Sequence, residues 1–205
     1  MLFAATAPAL ADPQVAGNVE VVRMWAYGTP AGEQTRRDLF LRDDVYVQEL
    51  LETVENGALH VHLADDTMLR LGSATSLVVD KFVYDPDADT ATLLANVAKG
   101  VCRFVTGKTA KKDVKIVTPA ATIAARGTIF SVWVKPDGST TVWVTTGEVE
   151  VTPRDGSAPA AVGTGEIVLA PIAGGGIQLN APRPSPDPGI ADTSRVYFFR
   201  KKSIR

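Results

Sequence analysis

The chain has 205 residues, 45% of them hydrophobic and 21% charged, with a formal net charge of −2. That length suits one domain, or one domain with tails, and is enough to bury a core. The balance excludes a disordered tail and a nucleic-acid binder with a broad basic field, so no nucleic-acid partner is expected.

The first residues, MLFAATAPALADP, end an apolar run at Ala9-Leu10-Ala11, the small-x-small pattern that signal peptidase accepts. Residues 1–11 are expected to be a signal-peptide remnant, with the mature chain starting at Asp12. The run has no charged n-region, so translation is expected to begin further upstream; an apolar N-terminal strand is the alternative. No stretch approaches the roughly 20 apolar residues of a membrane-spanning helix. The protein is therefore expected to be exported, periplasmic or extracellular, and soluble or held at the envelope by a partner.

Between Val45 and Leu179 about a dozen short apolar or alternating runs follow one another, separated by Gly, Asp, Asn or Pro. They include Leu59–Leu63, Met68–Leu71, Leu77–Tyr84, Ala91–Val97, Val101–Thr106, Val114–Thr118, Thr128–Val134, Thr141–Thr145 and Glu148–Thr152. Period-two alternation at such spacing predicts an all-β fold, either an elongated β-sandwich or a β-solenoid-like stack, with little helix. Only Arg37–Leu41 and Val47–Val54 could be helical turns. Asp137-Gly138 reads as a hairpin turn. Openings of the form Gly-x-Val/Leu recur at Gly57, Gly100, Gly147 and Gly165, which suits stacked rungs as well as two sheets. Cys102 is the only cysteine; it falls in an alternating run and is expected to be a small strand residue.

From Ala181 the composition changes. APRPSPDPG holds four prolines in nine residues, the mark of an extended spacer, assigned to 181–192. The all-β domain is thus expected over 12–180. Residues 193–205 hold five basic residues and no acid, leaving the rest of the chain at −7. Within them, Val196–Phe199 followed by Arg200-Lys201-Lys202 is either a last docked strand or an aromatic, basic tail for an anionic surface.

Candidate chemistry is sparse. His60 and His62, the only histidines, share one face of a strand and precede Asp65 and Asp66, a metal-like string. A hydrolytic zinc site needs three protein ligands and an open position, and Asp65 or Asp66 could supply the third. A solvent-facing strand side explains the pair equally simply. Asp85, Asp87 and Asp89 open like a cation loop, but Thr90 and Asn96 stand where its glycine and glutamate should be, so a solvated turn is expected. Gly107-Lys108-Thr109 lacks the first P-loop glycine, Cys102 standing in its place. No Gly-x-Ser-x-Gly elbow and no paired-carboxylate cleft are present, so neither catalysis nor a cofactor is expected. Arg126 beside Gly127 is expected to pair a buried carboxylate or cap carbonyls, with ligand contact as the alternative. Trp133 and Trp143 lie on paired runs; core packing is one role for them and aromatic faces for a glycan or small ligand the other.

Several ordered motifs carry a family resemblance. They are Thr118-Pro119, Arg126-Gly127-Thr128-Ile129-Phe130 and Gly147-Glu148-Val149-Glu150-Val151, preceded by Asp65-Asp66-Thr67-Met68-Leu69-Arg70-Leu71 and Lys99-Gly100-Val101-Cys102-Arg103-Phe104, and followed by Gly165-Glu166. From about Asp43 to Pro171 the chain resembles the FecR (ferric-citrate regulator) domain family. The resemblance implies an all-β periplasmic or extracellular module in which Thr118, Pro119, Arg126, Gly127, Thr128, Phe130 and Gly147 are structural signature residues. The regulators that name the family add a cytoplasmic anti-sigma segment and a membrane helix, and receive a signal from an outer-membrane transporter. With neither recognised in this sequence, the resemblance implies a stand-alone exported module that binds an envelope protein or acts as a scaffold.

Overall fold

A computed structural model describes residues 13–182 apart from 108 and 110, and of Lys111 and Lys112 only the backbone. The expected signal-peptide remnant, nearly all of the expected proline-rich spacer and the basic tail lie outside the described residues.

Among the described residues seventeen strands form two sheets, here A and B, and the chain passes repeatedly between them. β1 (Val15–Arg23) lies in A; β2 (Ala26–Thr29) and β3 (Arg37–Asp38) lie in B; β4 (Asp44–Tyr46) returns to A and β5 (Leu50–Thr53) to B. The hairpin of β6 (Ala58–Leu63) and β7 (Met68–Leu71) belongs to A. β8 (Ser76–Asp85) belongs to B, and the long β9 (Thr90–Val105) serves both sheets. Hairpins then alternate: β10 (Lys111–Val117) with β11 (Ala121–Ala125) in B, and β12 (Ile129–Val134) with β13 (Thr140–Thr146) in A. They continue with β14 (Glu148–Pro153) and β15 (Ala160–Gly163) in B, then β16 (Ile167–Ala170) and β17 (Gln178–Leu179) in A. Sheet A thus runs β4-β1-β6-β7-β9-β12-β13-β16-β17 and sheet B runs β3-β2-β5-β8-β9-β10-β11-β14-β15. Among the described residues every pairing is antiparallel except β9 with β10.

The all-β expectation holds, with more strands than the dozen runs suggested. β1, β2 and β3 precede the first run, and β11 and β15 are too rich in Ala and Gly to show alternation. Neither candidate helical turn forms a helix: β3 takes Arg37 and Asp38, Val47 and Gln48 lie in a turn, and β5 takes Leu50–Thr53. Strands win there because each has a partner ladder and an apolar residue to bury, Leu51 from β5 being fully enclosed. As for sandwich or solenoid, the two facing sheets share one core, as in a sandwich, while alternating hairpins advance the chain as in a stack.

Alternation decides which side chains face that core. Ala91, Leu93, Ala95 and Val97 of β9 are buried while the residues between them are partly exposed, and β14 buries Val149 and Val151 between exposed Glu148, Glu150 and Thr152. Sheet A contributes Leu69, Leu71, Phe104, Phe130, Val132 and Val142, and sheet B contributes Leu77, Val79, Ile116 and Ile123, all in one cluster. The Phe104 and Phe130 rings stack, with centroids 5.1 Å apart.

The recurring glycines sit where the chain changes sheets. β9 leaves B for A at Gly100, which has φ +83°, and a Cβ there would lie 2.5 Å from the Thr75 Cα. Gly147 joins β13 to β14 with φ +88°, and its missing side chain makes room for the Thr128 methyl. Gly57 and Gly165 stand at two further crossings, into β6 and into β16.

Candidate functional site

The outer face of sheet A carries a row of side chains with chemical groups that could act on a ligand. Cross-strand register places His60 opposite Arg70, Arg70 opposite Arg103, Arg103 opposite Ser131, and Ser131 opposite Trp143. Directly opposed residues share a face with Cβ atoms about 5 Å apart, so these five side chains form one row. Their strand neighbours Leu69, Leu71, Cys102, Phe104, Val132 and Val142 point the other way, into the core.

Water is largely excluded from the row although it lies outside the core. His60, Ser131 and Trp143 are 6%, 1% and 5% exposed. Burial, followed by the charge of Arg70, pushes the His60 pKa down to about 4. The Arg70 Nε and the Ser131 Oγ are buried without a hydrogen-bond partner. Beside Arg103 opens a groove of about 300 Å³, lined by Trp143, Val144, Thr145, Thr164, Gly165 and Ile167.

The metal-like string is not brought together. His62 shares the face of His60, but its Nδ1 lies 3.4 Å from Glu20 and its Nε2 3.2 Å from Asp66. Asp65 is buried in the β6–β7 turn, accepting hydrogen bonds from the Thr67 N–H at 3.0 Å and the Thr67 hydroxyl at 2.9 Å. Among the described residues no three His, Cys, Asp or Glu side chains form a metal cluster. Asp85 closes its own turn, accepting from the N–H groups of Asp87 and Ala88.

Trp133 and Trp143 both lie on the outer face, so neither joins the core cluster. They form a diagonal pair, since Trp133 opposes Thr141 and Trp143 opposes Ser131. Trp143 walls the groove, while Trp133 is partly exposed with the Lys135 ammonium 5.4 Å from its ring centre.

The signature residues cluster at the corners. Thr118 Oγ1 donates to the Ala121 carbonyl at 2.9 Å, accepts from its N–H at 3.0 Å and meets the Thr140 hydroxyl at 2.9 Å, closing the turn that Pro119 begins. Gly127 turns the chain from β11 to β12 with φ +63°. Thr128 is buried beneath Gly147, and Phe130 enters the core. Arg126 departs from expectation: it is exposed and makes no ion pair or side-chain hydrogen bond among the described residues, so no buried carboxylate holds it. A buried carboxylate does hold another arginine, Arg37, whose Nε and Nη2 donate to the fully buried Glu49 at 2.9 and 3.1 Å.

Sequence reasoning passed over Arg70, Arg103 and Ser131 as partners. Their period-two positions signal an outward face, but register between distant strands, which opposes them, leaves no local mark.

Comparison with known proteins agrees with this architecture. The family model described as FecR protein matches residues 49–150, from Glu49 ahead of β5 to Glu150 in β14. No curated protein matches the chain. Two crystal structures of a "putative anti-sigma factor" from Parabacteroides distasonis ATCC 8503 are similar in fold, with TM-scores of 0.54 and 0.53 at 21% and 20% identity. Each alignment covers 64% of this chain and 58% of the other, so the chain spans under two thirds of their length. With its signature turns placed at the sheet crossings and its strands matched from 49 to 150, this chain carries a FecR domain over those residues.

Proposed function

We propose that this chain is a non-catalytic, exported FecR module, spanning 12–180, that takes part in envelope signalling by binding a protein partner along the free edge of sheet B. Its FecR domain supports the setting, since FecR domains are typically periplasmic, and no helix among the described residues is long and apolar enough to cross a membrane. The similar fold of the anti-sigma factors supports a signalling role.

The observation that carries the binding mode is β15. Among the described residues it pairs only with β14, and Ala160-Ala161-Val162-Gly163 carries neither a charge nor a proline, the two usual guards of a free edge. The other sheet ends are shorter, two residues in β3 and β17 and three in β4. The Gly163 N–H donates to the Glu166 carboxylate at 2.6 Å rather than to β14. By the period of two, Ala161 turns its N–H the same way, toward an incoming strand. Added strands bind through such main-chain groups.

Affinity capture from envelope extract tests this, with Ala161→Pro removing the outward donor. The expected result is a saturable partner retained by the parent chain and lost from the variant at an unchanged melting temperature. Equal capture by the variant, or no saturable partner, overturns it. A glycan- or small-ligand-binding role is the second reading, favoured by the groove at Trp143.

A further inference from the structure

Charge is unevenly spread around the β15 edge. Glu148 and Glu150 point outward from β14, opposite Gly163 and Ala161, and both are exposed. Glu166 reaches the edge itself, its carboxylate accepting from the Gly163 N–H at 2.6 Å. All three acids lie within one strand of the edge, and none makes an ion pair among the described residues. The bases stand on the inner side. Lys115 is two strands in, opposite Ala124, which in turn opposes Glu150, and Arg126 follows Ala125 at the end of β11. Both are exposed, and neither pairs with these acids. Arg154 donates to the Thr118 carbonyl at 3.5 Å, in the β10–β11 turn and away from β15. A strand approaching β15 therefore meets carboxylates first.

The small residues of β15 leave those carboxylates within reach. On the outer face Ala161 offers one methyl group and Gly163 none. Because the Gly163 N–H turns away from β14, the pairs of Gly163 with Glu148 and of Ala161 with Glu150 are the narrow kind, with Cα atoms about 4.5 Å apart. An antiparallel strand added on the other side would place its own Cα atoms about 5.5 Å further out. A glutamate and a long basic side chain, extended toward each other over a single methyl, together span that separation. We propose that the strand accepted by β15 is basic on one face, with Lys or Arg opposite Ala161 and Gly163 pairing with Glu150, Glu148 and Glu166, and an apolar residue between them beside the buried Val162. This inference rests on strand addition at β15 and names the chemistry of the partner. Acids at the same positions would face three like charges, which rejects the wrong strand. Exposed ion pairs contribute little singly, so the carboxylates select the strand while the main chain holds it.

Fluorescence anisotropy of labelled peptides added to the whole chain tests the proposal. The probes, of about nine residues, alternate Lys and Val, alternate Glu and Val, or gather the same lysines at one end. At low salt the alternating Lys peptide should bind saturably and at least tenfold tighter than the Glu peptide, a gap that should narrow at about 0.5 M salt. Glu148→Lys combined with Glu150→Lys should invert the preference, and Glu150→Gln alone should weaken binding of the Lys peptide about threefold. Melting curves confirm that these surface variants fold. An unchanged preference in the double variant, equal binding of the gathered-lysine peptide, or no saturable binding of the alternating Lys peptide in the millimolar range overturns the proposal. Ala161→Pro separates its failure from that of the edge reading. Partner capture lost in that variant, with no charge preference among the peptides, leaves strand addition standing and removes only the basic partner. Binding of the Lys peptide that survives Ala161→Pro removes both.

Discussion

Arg37, near the β3 end of sheet B, and Arg70, in the middle of sheet A, are both half-buried strand arginines in opposite electrostatic settings. Arg37 donates to both oxygens of Glu49 and to the Asp44 carbonyl, and its guanidinium lies 5.3 Å from the Tyr46 ring centre. Burial works to lower its pKa, but the hydrogen bond and charge of Glu49 outweigh that and hold it above the ordinary value. Gly28 leaves space for this acid, since a Cβ there would lie 2.1 Å from its Oε1. Arg70 instead faces Arg103 and a neutral His60. A guanidinium with an internal counterion is held by the fold; Arg70 has no such counterion among the described residues.

The sharpest way to break this contrast is to remove the internal counterion. Glu49→Ala leaves Arg37 half-buried and the Tyr46 N–H without its acceptor, and should cost about 3 kcal/mol in denaturant unfolding. Next in size is Gly100→Ala, a change at the crossing that carries β9 into the row. The added Cβ meets backbone at positive φ, and a loss of about 2 kcal/mol should show as a lower melting temperature. The third expectation concerns pH. His60 titrates at about 4 in the fold against 6.5 when free. Below 6.5 the unfolded chain therefore binds more protons, and stability should fall as pH drops from 6.5 toward 4. His60→Gln should flatten that part of the profile. The smallest expected effect is that of Arg70→Met, which removes an orphaned donor. It should change stability by less than about 1 kcal/mol, in marked contrast to Glu49→Ala.

Much of the frame was legible beforehand, where a physical rule acts locally. Met68–Leu71 was bounded correctly by alternation, Asp137-Gly138 does turn the β12–β13 hairpin, and the repeated glycines mark corners because positive φ and close approach select that residue. Cys102 is a buried strand residue, and its burial raises the thiol pKa. The merger of Ala91–Val97 and Val101–Thr106 into one strand was hidden, because Gly100 reads as a break although the ladder continues past it in the other sheet. The row of His60, Arg70, Arg103, Ser131 and Trp143 was hidden more deeply. It depends on four registers, each set by how the two sheets close on their core. Arg126 shows the converse, a conspicuous residue beside a turn glycine whose side chain stands in solvent.

β9 carries a mechanical consequence. Its 16 residues span about 50 Å, and it pairs with β8 and β10 in one sheet and with β7 and β12 in the other. It acts as a shared beam: neither sheet can shear against the other without bending a strand that both have bonded. A push on the Arg103 end of that beam is therefore resisted by the sheet whose far edge is β15.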